Sequence, residues 1–226
     1  MSSILVIGAH YDDAELGAGG TMARLAAMGH QVYKLTLTNN ETRFTQKNIQ
    51  VNYESSVQQS AEACRILGVR EVDFAPVQCS HLFYDTEIMQ RVEKVVYDLQ
   101  IDTAFIHYRS DMNQDHVEAS RISMTALRHC KNVLMYQSNG YLLEESYYPR
   151  FFVDISDTIE KSGKRCAVTA GSMTGMGACL KRYVNVMKYG GISRKLRRRK
   201  VFMLSKWYFK ERIFHDRPVY GNSFRY

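Results

Sequence analysis

Two short polar clusters hold the residues best suited to chemistry. One is Ala9-His10-Tyr11-Asp12-Asp13, directly after an apolar run; the other is Asn113-Gln114-Asp115-His116. His10, Asp13 and His116 together offer two imidazoles and a carboxylate. That donor set suits a catalytic zinc ion, which takes three protein ligands and keeps one position open for water. A loop that aims His10 and Asp13 at one point leaves Asp12 free to face that water, as a general base must. A His-x-x-Asp pair alone is more often hydrogen-bonded structure, and adjacent aspartates after a strand can simply cap the next helix. The second cluster, at another expected strand end, is what turns the balance towards a shared ion.

The elements that must position these clusters alternate. Residues 4–8, Ile-Leu-Val-Ile-Gly, form a continuous apolar run, the pattern of a strand buried on both faces. Residues 15–29 carry Leu16, Met22, Leu25 and Met28 at helical spacing, closed by Gly29. Val32 to Thr38 reads as a strand, completing a crossover unit. Residues 39–53 read as a loop and 54–67 as a helix closed by Gly68. Strands are expected at 72–75, 103–107, 133–136 and 151–155, and helices at 86–99 and 116–129, with a further helix starting near 156–161. This alternation predicts an α/β fold with an open, mostly parallel sheet and helices on both faces, whose ligands bind beyond the C-terminal strand ends.

The bulk numbers set outer bounds. A chain of 226 residues, 45% hydrophobic and 23% charged, suits one soluble domain over 1–226, with a basic extension from about residue 181. The five cysteines (Cys64, Cys79, Cys130, Cys166 and Cys179) form no C-x-x-C pair, so free thiols in a reducing, cytoplasmic setting are expected. Acidic residues at Asp12, Asp13 and Glu15 follow the first apolar run too soon for a signal peptide. The net charge of +7 favours anionic partners, and much of it sits at Arg194, Lys195, Arg197, Arg198, Arg199 and Lys200, a run that also suits a solvated face.

The residues at 8–20, Gly-Ala-His-Tyr-Asp-Asp-Ala-Glu-Leu-Gly-Ala-Gly-Gly, resemble the A-H-P-D-D-x-x-L-x-x-G-G signature of the PIG-L/LmbE-like N-acetylglucosaminyl deacetylases. Asn113 to His116 resembles that family's second motif, and the likeness spans about residues 4–160. The resemblance implies a Rossmann-like three-layer sandwich and removal of an N-acetyl group from an amino sugar or its conjugate. It implies Zn2+ held by His10, Asp13 and His116, Asp12 as general base, and Asp115 as the acid that orients a neighbouring His. Arg43 and Asp85 best match the residues with which the family holds sugar hydroxyls. Two departures stand out. Tyr11 replaces the usual Pro, and Asn113 stands where some relatives have a His that polarises the carbonyl or protonates the amine. Asn can donate to an oxyanion but is no proton donor at neutral pH. Either Asp12 carries both proton transfers, or His81 or His107 supplies the acid.

Other readings compete. Two His and a carboxylate also describe the facial triad of non-haem iron oxygenases, which usually sits on a β-barrel. Gly17, Gly19 and Gly20 after a strand could mark a non-catalytic nucleotide-binding module, but His10, Asp12 and Asp13 would crowd a pyrophosphate. The basic run could meet nucleic acid, although no nucleic acid is expected. A serine hydrolase at Gly171-Ser172 lacks the G-x-S-x-G pattern. Lys181, Arg182 and the 194–200 run could meet a substrate phosphate. Trp207-Tyr208-Phe209 could touch a membrane surface, lie in the core or join subunits as a homo-oligomer.

Overall fold

The computed structural model of the chain describes residues 1–44, 49–138, 151–155, 158 and 201–209. The first strand, β1 (Ser3–Gly8), leads into α1 (Asp13–Ala27), and β2 (Gln31–Thr36) pairs parallel with β1 in register from Ser3–Gln31 to Gly8–Thr36. After a short hairpin, β3 (Thr42–Phe44) and β4 (Ile49–Val51), come α2 (Tyr53–Leu67), β5 (Arg70–Glu71) and α3 (Thr86–Asp98). Then follow β6 (Thr103–His107), α4 (Gln114–Ala126), β7 (Asn132–Tyr136), β8 (Phe151–Asp154) and β9 (Val201–Phe209).

The main sheet runs β5-β2-β1-β6-β7-β9-β8. Its pairs are parallel from β5 to β7, and β9 lies antiparallel to both β7 and β8. Successive side chains of a strand point to opposite faces. In β1, Ile4 and Val6 accordingly enter one core while Leu5 and Ile7 enter the other. The first core takes Ala14, Ala18, Met22 and Leu25 of α1 with Cys64 and Leu67 of α2. The second takes Met89 and Val92 of α3 with Ala119, Ile122 and Ala126 of α4. Two helices on each face make the expected three-layer α/β sandwich, and the double burial explains why β1 reads as an unbroken apolar run.

Several boundaries differ from expectation. The strand expected at 72–75 is displaced: β5 is Arg70–Glu71, pairing with Tyr33 and Lys34. The Val72 N–H still donates to the Lys34 carbonyl at 2.8 Å, and the chain rejoins β2's line through an isolated bridge between Thr38 and Val77. The stretch 39–53 is not all loop, since β3 and β4 pair antiparallel through Thr42–Val51, Arg43–Gln50 and Phe44–Ile49. Three-residue strands are too short to show a period. β9 was not expected as a strand; it places Trp207, Tyr208 and Phe209 on a strand of the main sheet. The helix start expected at 156–161 and the basic run 194–200 lie outside the described residues.

The placement of β1 and β6 matters most for function. From β1 the chain crosses to β2 on one side, whereas β6 and β7 are laid down on the other. β1 and β6 therefore flank the point where strand order reverses, and the loops at their C-terminal ends open a crevice there.

Candidate active site

The loop after β1 is a tight turn. A Cβ at Gly8 would sit 3.0 Å from the His10 carbonyl oxygen, so glycine lets the chain fold back at once. The His10 N–H donates to Asp13 Oδ2 at 2.7 Å, and Asp13 opens α1 with its carboxylate at the positive end of the helix. Asp12 occupies the N-cap position of α1 but its side chain makes no capping bond, in contrast to Asn52, Asp85 and Asn113 at the starts of α2, α3 and α4. The carboxyl next to Asp13 thus caps no helical N–H.

The loop after β6 is built from consecutive Asx turns. Asp111 Oδ1 accepts the Asn113 N–H at 2.9 Å. Asn113 Oδ1 accepts the N–H groups of Asp115 at 2.9 Å and His116 at 3.4 Å. Short polar side chains that bond their own backbone two residues on are strong turn and cap formers. They start α4 at Gln114, two residues before the expected 116, so Asp115 and His116 stand in the first helical turn.

Both loops converge. His10 Nδ1 lies 3.2 Å from Asp13 Oδ2 and 3.3 Å from His116 Nε2, and His116 Nε2 lies 3.2 Å from Asp13 Oδ1. Zinc bonds of about 2.0–2.1 Å at tetrahedral angles place ligand atoms about 3.3 Å apart. The two imidazole nitrogens are therefore spaced for one tetrahedral ion, with Asp13 presenting Oδ2 beside His10 and Oδ1 beside His116. The outer nitrogens fit equally well: His10 Nε2 lies 3.1 Å from Asp115 Oδ2, and His116 Nδ1 3.0 Å from Asp111 Oδ2. A metal-binding His characteristically donates its other N–H to a carboxylate, which fixes ring and tautomer. Asp115 is itself held by the Ser80 N–H at 2.8 Å and the Cys79 thiol at 3.7 Å.

Electrostatics follow the geometry. Burial opposes the charged form of His116, but Asp13 and Asp111 lift its pKa to about 9. Burial likewise opposes a charge on His10, yet Asp13 and Asp115 raise it well above the usual range. Asp13, although buried, is driven well below the ordinary carboxylate range by His116, His107 and His10. Burial and the neighbouring Asp13 charge push Asp12 upward. The carboxylates around both imidazoles thus favour a positive charge at this point of the fold.

The expected residues are placed as follows. His10, Asp13, His116 and Asp115 come together, with Asp12 adjoining in the same loop. Asn113 caps α4 through Oδ1, which leaves its Nδ2 to donate elsewhere. Asp85 is exposed and caps α3 by accepting from Glu87 and Ile88, and Arg43 is exposed on β3; the structure joins neither to the metal set. His107 is fully buried behind the ligands, stacked on His116 at 4.1 Å with Nε2 3.2 Å from Asp13 Oδ2. Burial and His116 lower its pKa to about 4, so it stays neutral. His81 is exposed and contacts the Cys79 carbonyl through Nδ1 at 3.1 Å.

Sequence reasoning missed Asp111, although an acid two residues before an Asx cap and five before a ligand His was a usable signal. It also missed Lys34, a lone charge within β2 between Tyr33 and Leu35.

Comparison with known proteins agrees with this geometry. The profile of the family described as "PIG-L: GlcNAc-PI de-N-acetylase" matches residues 5–127. YaiS of Escherichia coli K12, described as an uncharacterized deacetylase, is 29% identical over 162 residues, covering 68% of this chain and 82% of YaiS. Among solved structures, GalB of Pseudomonas putida KT2440, a 4-carboxy-2-hydroxymuconate hydratase, is 19% identical with a TM-score of 0.78, covering 96% of this chain and all of GalB. The N,N'-diacetylchitobiose deacetylase of Pyrococcus horikoshii is 17% identical with a TM-score of 0.75, covering 90% of this chain and 82% of that one. At these identities the two structures speak to the fold, whereas the family match covers more than half of the chain and contains both loops that meet at His10 and His116. The chain therefore belongs to the PIG-L family of hydrolytic de-N-acetylases.

Proposed function

We propose that this chain is a zinc-dependent deacetylase that removes the N-acetyl group from an amino sugar or its conjugate and releases acetate. The observation that carries the reading is the convergence of His10 Nδ1 and His116 Nε2, 3.3 Å apart, on the two oxygens of Asp13, each at 3.2 Å, beside a carboxyl, Asp12, that makes no helix-capping bond. Zinc held there would supply Lewis acidity and bring the pKa of water towards about 7. Asp12, raised by burial and by Asp13, is the base that takes the proton of the attacking water. Asn113 Nδ2 donates to the oxyanion formed on the acetyl carbonyl. His107 is too deeply buried to meet a leaving amine, so Asp12 hands its proton to that amine as the C–N bond breaks. Asp111 and Asp115 hold the two imidazoles in place throughout.

Support for an amino-sugar substrate comes from the family match and from the diacetylchitobiose that one structural relative acts on. Arg43, on β3, and Asp85, at the N-cap of α3, are the proposed sugar contacts. The positive surplus suits a phosphate-bearing conjugate, and free Cys64, Cys79 and Cys130 suit a reducing cytoplasm. A facial-triad oxygenase is disfavoured by the parallel sheet. The hydratase among the relatives makes water addition to a carbon–carbon double bond the second reading. Acetate release from a panel of N-acetylated sugars, run with and without chelator, decides between them. Chelator-sensitive acetate release from at least one sugar is expected; hydration of an unsaturated acid with no acetate from any sugar would overturn the deacetylase reading.

A further inference from the structure

Beneath the loop that carries His10, Asp12 and Asp13 lies an ammonium with no access to solvent. Lys34, in the middle of β2, is fully buried. Its Nζ donates to the Tyr11 carbonyl at 2.6 Å, to Glu15 Oε1 at 2.6 Å and to Ser60 Oγ at 2.7 Å. An ammonium has three donors, so all three are used, each on a different element: the β1–α1 loop, α1 and α2. Ser60 Oγ passes the network on to Glu71 Oε1 of β5 at 2.5 Å. Taking a charge out of water is costly, and an apolar pair of equal volume is often no less stable. A buried lysine in a strand is thus poorly explained by stability alone.

What the ammonium grips gives another reason. The Tyr11 carbonyl lies between His10 and Asp12. Around it, the His10 N–H donates to Asp13 Oδ2 at 2.7 Å, the Asp13 N–H to the His10 carbonyl at a long 3.4 Å, and the Leu16 N–H to the Asp12 carbonyl at 2.9 Å. Ala9, at the start of the turn, is held by its N–H on His107 Nε2 at 3.0 Å and by its carbonyl on the Thr38 N–H at 2.9 Å and Oγ1 at 2.8 Å, and the bond from Lys34 ties the next stretch, at the Tyr11 carbonyl, to β2. We propose that Lys34 is a positioning residue: its ammonium pins the Tyr11 carbonyl and so fixes the angle at which His10 and Asp13 meet His116 around the metal. This rests on the metal reading of the site. Glu15 supplies the counter-charge that keeps the ammonium in place, and Ser60 saturates its third donor.

The test is metal affinity in the full-length protein, measured by chelator competition with Zn2+, alongside thermal stability. The pair Lys34→Met/Glu15→Gln removes both buried charges together. It is expected to fold but to bind Zn2+ about 10–100-fold more weakly, the range seen when supports of metal ligands are lost, and its Co2+ form should lose tetrahedral absorption intensity. Ser60→Ala keeps the bonds to Tyr11 and Glu15 and should lower the melting temperature while holding Zn2+ affinity within about threefold. If the charge-free pair does not fold, Lys34→Arg is read instead, since a planar guanidinium cannot reproduce three convergent donors; it should weaken Zn2+ binding similarly. Wild-type Zn2+ affinity in the charge-free pair, or in Lys34→Arg, overturns the positioning role while leaving the deacetylase reading intact. Failure of the wild-type protein to bind any divalent ion would sink the metal reading, and this proposal with it.

Discussion

At the scale of single residues, the division of labour among four aspartates is the central fact. Asp13 sits within 3.2 Å of both His10 and His116, Asp111 and Asp115 back those imidazoles, and Asp12 is left uncommitted. Asp12→Ala should therefore leave Zn2+ binding within about threefold of wild type and lower turnover by about 10²–10⁴-fold; acetate release near wild type would discard the base assignment. Asp111→Asn should act oppositely. It keeps the Asx turn but weakens the bond that orients His116, so Zn2+ affinity should fall about 10–100-fold, as chelator competition would reveal. His81 offers a check on the acid. If Asp12 carries both proton transfers, His81→Ala changes kcat by less than about threefold, and a drop of 10²-fold would assign the amine's proton to His81.

At the scale of elements, the site depends on two helix starts and one close packing contact. Asn113 caps α4 with two accepted bonds, so Asn113→Ala should cost about 1 kcal/mol of stability in urea unfolding. Its effect on turnover should exceed that loss if Nδ2 also meets the oxyanion. Gly17 lets α1 press against β7: a Cβ there would come within 2.1 Å of the Tyr136 ring, which lies 4.9 Å from His107. Gly17→Ala should destabilise by about 1–3 kcal/mol and weaken metal binding through His107 and Asp13. An unchanged unfolding midpoint would show that the ring moves aside freely.

At the scale of the whole molecule, the two loops at the reversal of strand order set His116 between the carboxylates of Asp13 and Asp111, which raise its pKa. His116 titrates near 9 in the metal-free fold, against about 6.5 in an unfolded chain. Its raised pKa contributes stability that is complete below about 6.5 and lost as pH climbs through about 9. The metal-free protein should melt progressively lower over that window. Zn2+ must displace the same protons, so its affinity should rise over the same window, by up to about tenfold per pH unit for each proton released. Calorimetry in buffers of different ionisation enthalpy measures that release, and a pH-independent affinity between 6.5 and 9 would contradict the arrangement of charges described here.

Much of this was legible along the chain because local rules govern it. The apolar run at β1, the glycine after α2 and the stripe of α3 each follow from the period of one element, and two motifs at strand ends named His10, Asp12, Asp13 and His116. The details of β3, β4, β5 and β9 were not legible, since short or edge strands owe their existence to partners distant in sequence. Asp111 and Lys34 escaped for a related reason. Nothing near Lys34 in the chain supplies its acceptors; Tyr11, Glu15 and Ser60 reach it only when β2 is laid beside β1 and covered by α1 and α2. The sequence by itself determined which side chains could bind an ion. Tertiary structure alone decided that two loops about a hundred residues apart bring their donor atoms to 3.2–3.3 Å, because parallel pairing of β1 with β6 sets both loops at the same end of the sheet.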